Sequence, residues 1–415
     1  MQESKKFLVA AFATFCLAAC SGSPQQPAGN DQNNNEDTTG KLPPVETQKA
    51  NTDYKPAFEG QTRITGVKTA TPYKADKIAT GLGSPWAVVP MPDGRLLVTI
   101  KSGKMQIYDA NGAMVKEITG FPKVEDDGQG GLLDVAFDPA FSTNKTIYWS
   151  FSEKQGDANL TAVAKGQLNE AAGKVDNPVV IFRATPALNS ALHFGSRLVF
   201  DKDGNLFVSA GERSILEGRK QAQLLSAGLG KVFKITTDGK PAPGNPFTDQ
   251  AGKMPEIFAY GIRNPQGLDI NPVSGELWEA EFGPRGGDEI NIIKSGKDYG
   301  WPTITYGIEY SGEKVGDGIQ QKEGMQQPIY YWDPVISPSG ITFYKGNAIP
   351  EWENNLFIGG LSSMHIIRLV IKDNKVVGEE RLLADLKERF RDVAYSNGML
   401  YAVTDGGNMY KISKQ

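Results

Sequence analysis

The sequence predicts an all-β fold, a six-bladed β-propeller, over residues 61–415. Six stretches share one form, in which an apolar strand start leads through a turn rich in Asp, Asn, Pro or Gly into a strand that alternates large apolar residues. Long helical periodicity is absent from this region, and no second low-complexity segment divides it. The six stretches are Val88–Ile100, Val135–Phe151, Leu198–Ser209, Leu268–Glu281, Ile341–Gly359 and Val393–Thr404.

Each stretch predicts a β-hairpin, because Asp-Gly and Asn-Gly pairs supply the positive φ that tight hairpin turns require. The stretches begin about 50 to 70 residues apart, which leaves room in each unit for two more strands, as in the four-stranded blade of a propeller. The β-rich stretch from Arg63 to Ile78 is expected to supply a strand that pairs with the C-terminal blade. A two-sheet sandwich with long loops is the alternative, and six repeats fit it poorly.

The N-terminus has the pattern of an export signal. Lys5 and Lys6 precede an apolar run from Phe7 to Ala19, which is too short to span a bilayer. Small residues then lead into Cys20, as in a bacterial lipoprotein signal, so residues 1–19 are predicted to be removed and Cys20 to carry lipid. An ordinary signal peptide is the alternative. The other cysteine, Cys16, lies in the segment to be removed, so no disulfide is possible within the mature chain.

Residues 20–60 are predicted to be a disordered tether, because Gln, Asn, Pro, Gly, Thr and acidic residues predominate and apolar residues are scarce. The protein is therefore expected to be exported and attached to a membrane through its lipid alone. Ser21 favours the outer membrane if the host is Gram-negative. The net charge of −4 comes without a basic run, which argues against nucleic acid and favours a small-molecule partner.

Histidine is scarce, because His193 and His365 are the only two in the chain, and this excludes a histidine-cluster metal site. His193 precedes a predicted hairpin, and Glu212 follows the same hairpin. The two segments are expected to meet at one face, where a carboxylate would orient an imidazole that acts as a general base. A lone histidine is, however, more often structural than catalytic.

Three further clusters carry candidate chemistry. The Arg-Asn pair in Tyr260–Gly267 suits an anionic ligand. Glycines and acids in Glu281–Asn291 suit a hard cation, although the segment is equally consistent with a charged turn. Two arginines in Glu388–Asp392 are spaced at i and i+2, so on a strand they face the same side, unless this is a solvent-facing edge strand.

Taken together and in this order, these segments resemble the PQQ-dependent soluble glucose and aldose sugar dehydrogenases, the glucose/sorbosone dehydrogenase family (PQQ is pyrroloquinoline quinone). The resemblance runs from about Gly81 to Asp405. The segments that carry it are Ser84–Trp86, Gly128–Asp134, Leu192–Leu198, Gly261–Gly267, Gly283–Asn291, Tyr299–Pro302 and Arg389–Asp392.

The resemblance implies oxidation of an aldose sugar at C1, with hydride transfer to PQQ. His193 would be the general base, and Glu212 would support it. Arg263 and Asn264 would contact the cofactor, with Arg263 stabilising negative charge on the reduced quinone oxygen. Arg389 and Arg391 would meet the cofactor carboxylates.

The resemblance also implies two calcium sites and a looser set of pocket residues. Carbonyls of Gly283 and Pro284 would bind a catalytic Ca²⁺, and Glu289 with Tyr299 a structural one. By position in the family pattern, four further residues would lie near the cofactor. Gln129, which is one of them, and Trp332 would lie near the sugar. The four residues near the cofactor are Gln129, Tyr310, Ser339 and Gly340.

The chain departs from the family pattern at two places. Some members have a lysine after the last strand of the fifth repeat, where this chain has Ser362 and Ser363, which puts cofactor affinity in question. Many relatives have histidines where this chain has Ala280 and Phe282, which should matter less if the metal donors are carbonyls. Two other functions stay open, a calcium-dependent lactonase and a non-catalytic propeller that binds glycans or protein. The particular aldose and the electron acceptor are not specified by the sequence.

Overall fold

The structure is a computed structural model that describes residues 42–415. The predicted signal peptide, the predicted lipid site at Cys20 and residues 20–41 of the predicted tether lie outside the described residues. Within the described part of the chain, no helix has both the length and the apolar character needed to cross a membrane.

Residues 73–414 form six antiparallel sheets of four strands each. We number the blades from 1 to 6 and give the strands of each from the innermost outward. Blades 1 to 3 contain β2 (Pro85–Pro90), β3 (Leu96–Ile100), β4 (Lys104–Tyr108) and β5 (Met114–Ile118); β6 (Leu132–Phe137), β7 (Thr146–Gln155), β8 (Ala158–Asn169) and β9 (Lys174–Arg183); and β10 (Leu198–Phe200), β11 (Leu206–Ala210), β12 (Lys231–Ile235) and β13 (Ile257–Tyr260). Blades 4 to 6 contain β14 (Pro265–Ile270), β15 (Leu277–Glu281), β16 (Asp288–Ile293) and β17 (Tyr330–Trp332); β18 (Pro338–Phe343), β19 (Leu356–Gly360), β20 (Ile366–Lys372) and β21 (Lys375–Leu382); and β22 (Phe390–Ser396), β23 (Met399–Thr404), β24 (Met409–Lys414) and β1 (Tyr73–Ala79).

The predicted six-bladed propeller is confirmed. Each of the six predicted hairpins corresponds to the two innermost strands of one blade. The predicted closing strand is also confirmed, because β1 pairs antiparallel with β24 from Tyr73↔Lys414 to Ala79↔Met409. A strand from the N-terminal side thereby completes the last blade and closes the ring.

Helices are short and few in the described residues. They are α1 (Phe141–Asn144), α2 (Leu216–Gln221) and two 3₁₀ turns, Pro350–Trp352 and Ala384–Leu386. Helix α2 lies in the connection between β11 and β12, on the face where the innermost strands begin. We call this face the upper face, because the candidate site lies there.

The apolar core lies between neighbouring blades. Leu97 of blade 1 packs with Trp149 of blade 2, and Trp278 of blade 4 packs with Phe343 of blade 5, all at 0% exposure. Full burial of a large apolar side chain contributes roughly 1.5–3 kcal/mol. Because each interface is buried in this way, the blades hold the innermost strands rigidly around the central axis.

Three aspartates on innermost strands link neighbouring blades near that axis. Asp134 accepts a hydrogen bond from the Leu198 amide, Asp269 from the Phe343 amide and Asp392 from the Val88 amide, each at 2.8 Å. A buried amide without a hydrogen-bond partner lowers the stability of the fold. Each aspartate therefore stabilises the innermost strand of a neighbouring blade by accepting a bond from one of its amides.

Residues 42–60 differ from the prediction of a disordered tether, and for this part the prediction is wrong. Asn51 and Thr52 hydrogen-bond to Asp333, and Glu46 pairs with Arg381 at 2.7 Å. The segment has little apolar surface to bury, which is the feature that predicted disorder. Its polar groups instead bond the buried Asp333 and the partly exposed Arg381, partners that are distant in sequence.

Candidate active site

A central cavity opens on the upper face, where the innermost strands begin. Five of the six blades contribute to its wall, including aromatic, amide and cationic side chains. The lining residues are Trp86, Lys101, Gly128, Gln129, Leu133, Phe194, Gly195, Gln266 and Arg391.

His193 lies beside this cavity, in the segment that leads to β10. Its Nδ1 is 2.6 Å from Oε1 of Glu212, and its backbone amide donates to Oε1 of Gln129 at 2.8 Å. His193 is 5% exposed and Glu212 is 1% exposed. The backbone of His193 has a φ of +49°, a region that non-glycine residues rarely adopt and that is found preferentially at functional sites.

The environment of His193 favours its neutral form. Burial, and then the nearby positive charge of Arg263, lower the pKa of His193 to about 4, while Glu212 opposes the shift. At neutral pH the ring therefore donates its Nδ1 proton to Glu212 and leaves Nε2 unprotonated. A neutral imidazole held in one orientation by a carboxylate is the arrangement required of a general base.

Arg263 and Asn264 lie immediately before β14 and connect this pair to blade 4. The Glu212 amide donates to the Arg263 carbonyl at 2.9 Å. The guanidinium of Arg263 donates to the Gly283 carbonyl at 2.7 Å and lies 5.2 Å from the centre of the Trp301 ring. Within the described residues, Nε of Arg263 and Nδ2 of Asn264 are buried without a hydrogen-bond partner. Buried donors of this kind are normally satisfied, so both suit a polar ligand.

The opposite side of the cavity is cationic. Arg389 and Arg391 both bond Asp405, through contacts of 2.9 and 2.8 Å from their Nε atoms, which confirms that they face the same side. Burial opposes the effect, but Arg391 and Arg389 hold the pKa of Asp405 below its usual range. Lys101 approaches from blade 1, and its ammonium donates to the Gly128 carbonyl at 2.6 Å. Lys101 and Arg391 both line the cavity, and burial and then Arg391 lower the pKa of Lys101.

Arg197 forms the floor beneath the cavity. Its guanidinium is 3.1 Å from Asp392 and 3.5 Å from Asp134, and it lies 4.2 Å from the centre of the Trp86 ring. Gly340 is required beside this group, because a Cβ there would lie 1.6 Å from Oδ1 of Asp392. The ion pairs therefore fill the centre of the propeller below the cavity.

A second cavity lies next to Arg263 and is otherwise lined by blade 4 and the connection that follows β16. Gly283, Glu289 and Tyr299, which the sequence assigned to two separate calcium sites, all line this one cavity, together with Glu281. Glu281 and Glu289 are direct cross-strand neighbours on β15 and β16, and both are buried. Like charges in that position destabilise a sheet unless a cation or a proton compensates them.

The pKa shifts of these carboxyl groups also indicate that a cation or a proton is needed to compensate their charge. Burial raises the pKa of Glu281 to about 7, and burial together with Glu281 raises the pKa of Glu289. Asn291 supplies an amide to Glu279, Glu281 and Glu289 at 3.1, 3.3 and 3.4 Å. Residues 42–415 contain no group of three His, Cys, Asp or Glu side chains already arranged to hold a metal ion. A cation here would therefore depend on backbone carbonyls and on rearranged carboxylates.

The sequence model of the family described as Glucose / Sorbosone dehydrogenase matches residues 82–411. The chain belongs to this family. It is 40% identical to the aldose sugar dehydrogenase YliI of Escherichia coli over 338 residues, which cover 80% of this chain and 90% of that protein.

Solved structures of family members have the same fold. The apo-form crystal structure of the soluble aldose sugar dehydrogenase from Escherichia coli superposes with a TM-score of 0.79 at 39% identity, covering 83% of this chain and 100% of that one. The PQQ-bound form of an aldose sugar dehydrogenase from Streptomyces coelicolor superposes with a TM-score of 0.69 at 28% identity, covering 83% and 99%. The chain is therefore an oxidoreductase of the glucose/sorbosone dehydrogenase family.

Most of the residues suggested by the family resemblance are brought together around the two cavities. Near the central cavity the structure groups His193 with Glu212, Gln129, Arg263 and Asn264, and places Arg389 and Arg391 on the opposite side. Around the second cavity it groups Gly283, Glu289 and Tyr299, with Pro284 next along the chain. The Tyr299 hydroxyl donates to the Ile292 carbonyl at 2.6 Å, so this group already has a structural partner.

Four predicted pocket residues lie elsewhere. Trp332 is on β17, the outermost strand of blade 4, where it packs against Tyr330 and donates to Glu379, and it does not line the central cavity. Tyr310 is 71% exposed on a loop and does not line the cavity. The Ser339 hydroxyl is buried and donates to the carbonyls of Gly359 and Phe390, and Gly340 packs against Asp392 below the cavity. These two positions build the blade 5 to blade 6 contact and do not line the pocket.

Sequence reasoning missed several residues of the site. Trp86, Phe194 and Gln266 line the cavity and were quoted only as parts of motifs. Lys101 and Asp405 could have been found from the sequence. Each comes immediately after the second strand of a predicted hairpin, and that end of the strand reaches the upper face.

Proposed function

We propose that this protein oxidises an aldose sugar at C1 to the lactone, with PQQ as the hydride acceptor and Ca²⁺ as a second cofactor. The observation that carries the proposal is the buried, neutral His193 held by Glu212 beside a cavity whose opposite wall is cationic. The family membership and the PQQ-bound Streptomyces relative support the choice of cofactor.

The residues of the central cavity fit PQQ, which is flat, polar and carries three carboxylates. Lys101, Arg389 and Arg391 would hold the carboxylates, since charge-assisted hydrogen bonds are the strongest available for such groups. The unpartnered Nδ2 of Asn264 and Nε of Arg263 would bind its oxygens. Trp86 and Phe194 add aromatic surface against which a planar ring system packs.

When bound, PQQ supplies a quinone that accepts hydride, and calcium supplies positive charge that polarises it. In this chain, Nε2 of His193 accepts the proton of the C1 hydroxyl as C1 loses its hydride. Glu212 stabilises the imidazolium that results, because its carboxylate already holds Nδ1. Arg263 adds a fixed positive charge close to His193, suited to negative charge that develops on an acceptor oxygen.

Calcium would be held by the carbonyls of Gly283 and Pro284, with Glu289 and the backbone around Tyr299 supplying a further site. The oxygen-rich donor set is of the type that Ca²⁺ prefers. The buried Glu281 and Glu289, adjacent across two strands, support a cation in the second cavity, because it would remove their mutual repulsion.

The test is a titration of the purified full chain with PQQ, followed by absorbance and by thermal unfolding, with calcium in excess and again with chelator. We expect saturable PQQ binding, oxidation of aldoses with an artificial acceptor dye, and loss of both activity and part of the thermal stability on chelation. Failure to bind PQQ would favour a non-catalytic propeller, and lactone hydrolysis without PQQ would favour a lactonase. Unchanged stability and activity in chelator would exclude the calcium role.

We further propose that the protein is exported and anchored through lipid on Cys20. The support is the short apolar run that ends in Leu17–Cys20. In fractionated cells the wild type is expected with membranes, and Cys20→Ala should release the protein in soluble form. An unchanged distribution in the variant would exclude the anchor.

A further inference from the structure

Residues 46–63, here called the strap, lie outside the region matched by the family model and lie against blades 4 and 5. The strap forms a closed loop, because Arg63 donates to the carbonyls of Glu46 and Gln48 at 2.9 and 2.8 Å. Glu46 in turn pairs with Arg381 of β21 at 2.7 Å. The same arginine, Arg63, also donates to the Asp333 carbonyl at 2.7 Å, which fixes the strap to the chain just beyond β17.

Asp333 is the main contact of the strap at the upper face, and it is 4% exposed. Its Oδ1 accepts hydrogen bonds from the amide and the side chain of Asn51, at 2.9 and 2.8 Å. Its Oδ2 accepts from the amide and the hydroxyl of Thr52, both at 3.0 Å. Two consecutive strap residues therefore supply four donors to one buried carboxylate.

On its other side, Asp333 abuts the loop of residues 283–287, which carries the carbonyls assigned to calcium. A Cβ on Gly286 would lie 2.9 Å from Oδ1 of Asp333, so the carboxylate and the loop are in close contact. The Gly287 amide donates to the carbonyl of the adjacent Trp332 at 2.8 Å, and Arg285 Nε donates to Oδ1 of Asn51 at 3.2 Å. The strap and Asp333 thus form one wall of this loop.

We propose that the strap, acting through Asp333, fixes the 283–287 loop and with it the carbonyls of Gly283 and Pro284, so that a cation that displaces the Arg263 guanidinium from Gly283 finds both oxygens in place. Asp333, Asn51 and Thr52 are positioning residues in this role, which for its calcium component rests on the proposed function. The physical reason is that a buried carboxylate is stable only while its donors are present. Without Asn51 and Thr52, Asp333 would turn toward water, and Gly286 would lose the wall against which it packs.

The test compares the full-length double variant Asn51→Ala/Thr52→Val with Thr71→Val. Thr71 is a matched control, because its hydroxyl donates to Glu351 at 2.7 Å, away from the 283–287 loop. Hydrogen–deuterium exchange of the peptide that contains residues 283–287 is measured without calcium or PQQ. We expect exchange about tenfold faster in the double variant and unchanged in Thr71→Val. The apparent Kd for calcium, from the thermal shift of the PQQ-free protein, should rise about tenfold in the double variant.

A second variant guards against compensation by the two backbone amides, which the double variant retains. Asp333→Asn places an amide donor opposite the strap donors while keeping the shape beside Gly286, and it should also accelerate exchange of the loop. Wild-type exchange in both variants, with their overall fold intact by circular dichroism, would overturn the proposal. If wild type bound no calcium, the calcium component of the proposed function would fail, whereas the exchange measurement would still decide whether the strap positions the loop.

Discussion

The two sides of the central cavity achieve their chemistry by different means. On the side of blades 3 and 4, His193 and Glu212 are 5% and 1% exposed, and burial has shifted the pKa of the histidine far from its usual value. On the side of blades 6 and 1, Arg389 and Arg391 pair with Asp405, Lys101 donates to the Gly128 carbonyl, and all three cations remain partly open to water. Burial thus keeps the histidine neutral on one side, with Glu212 opposing the shift, and an excess of cations over carboxylates suits the other side to an anion.

The largest expected effect comes from replacing His193, the proposed general base. His193→Gln should lower the turnover of the PQQ-loaded enzyme about 10²- to 10⁴-fold, because it removes the general base. PQQ affinity should change little, since the cations lie on the other side. Turnover and PQQ titrations with calcium in excess measure the two effects separately. His365→Gln is the matched control, and turnover like that of wild type in His193→Gln would refute the mechanism.

The cationic side should show the reverse pattern. Arg391→Gln should weaken PQQ binding about 10- to 100-fold, because it removes a charge-assisted contact worth about 1.5–3 kcal/mol, while turnover at saturation falls much less. Fluorescence or absorbance titration of the apo-protein gives the Kd. Arg183 lies on β9, the outermost strand of blade 2, and pairs with Glu153 of β7, so Arg183→Gln should leave the Kd unchanged. A variant that bound PQQ normally but turned over slowly would contradict the division between the two sides.

A smaller effect is expected at Lys101, whose ammonium retains a carbonyl partner. Lys101→Met should weaken PQQ binding about tenfold, which corresponds to about 1.4 kcal/mol. Lys104→Met is the matched control, because Lys104 pairs with Glu117 at 2.7 Å on the adjacent strands of the same blade. Equal affinities for wild type and Lys101→Met would show that Arg389 and Arg391 suffice without the cation of blade 1.

The smallest expected effect concerns the pKa of the two histidines and tests whether His193 is buried away from water. Burial lowers the pKa of both His193 and His365 to about 4, so neither ring should titrate between about pH 5.5 and 8. Because the folded-state pKa is depressed, the unfolded chain binds more protons below about pH 6.5, and stability should fall as the pH drops through that range. Nuclear magnetic resonance of the two histidine rings, assigned with His193→Gln, measures both values. A titration of His193 near pH 6.5 would show that the ring is hydrated rather than buried.

Local pairings within the site were predictable because both partners flank one hairpin. His193 and Glu212 precede and follow β10 and β11, and the expected contact is confirmed at 2.6 Å. Arg389 and Arg391 share a side because side chains alternate along an extended chain, and both reach Asp405. The catalytic and binding roles of these residues remain predictions for the experiments above.

Other positions were placed wrongly because their neighbours depend on the order of strands within a blade. The long connection from Ile293 to Tyr330 separates β16 from β17, so periodicity alone could not show that Trp332 lies on the outermost strand. Lys101 approaches Arg391 only because blade 1 follows blade 6 around the ring. The composition of residues 42–60 predicted disorder, but Asp333 and Arg381, the charged partners of this stretch, come from distant segments.

The sequence by itself determined the number of blades, the position of each inner hairpin and the closing strand. These depend on turn chemistry and strand alternation, which are local properties of the chain. Only the tertiary structure decided which side chains share the central cavity, that the predicted calcium ligands line one second cavity, and that the strap lies against Asp333. Those outcomes depend on closure of the ring, because it brings residues hundreds of positions apart within hydrogen-bond distance, where burial and charge act on pairs that no local pattern specifies.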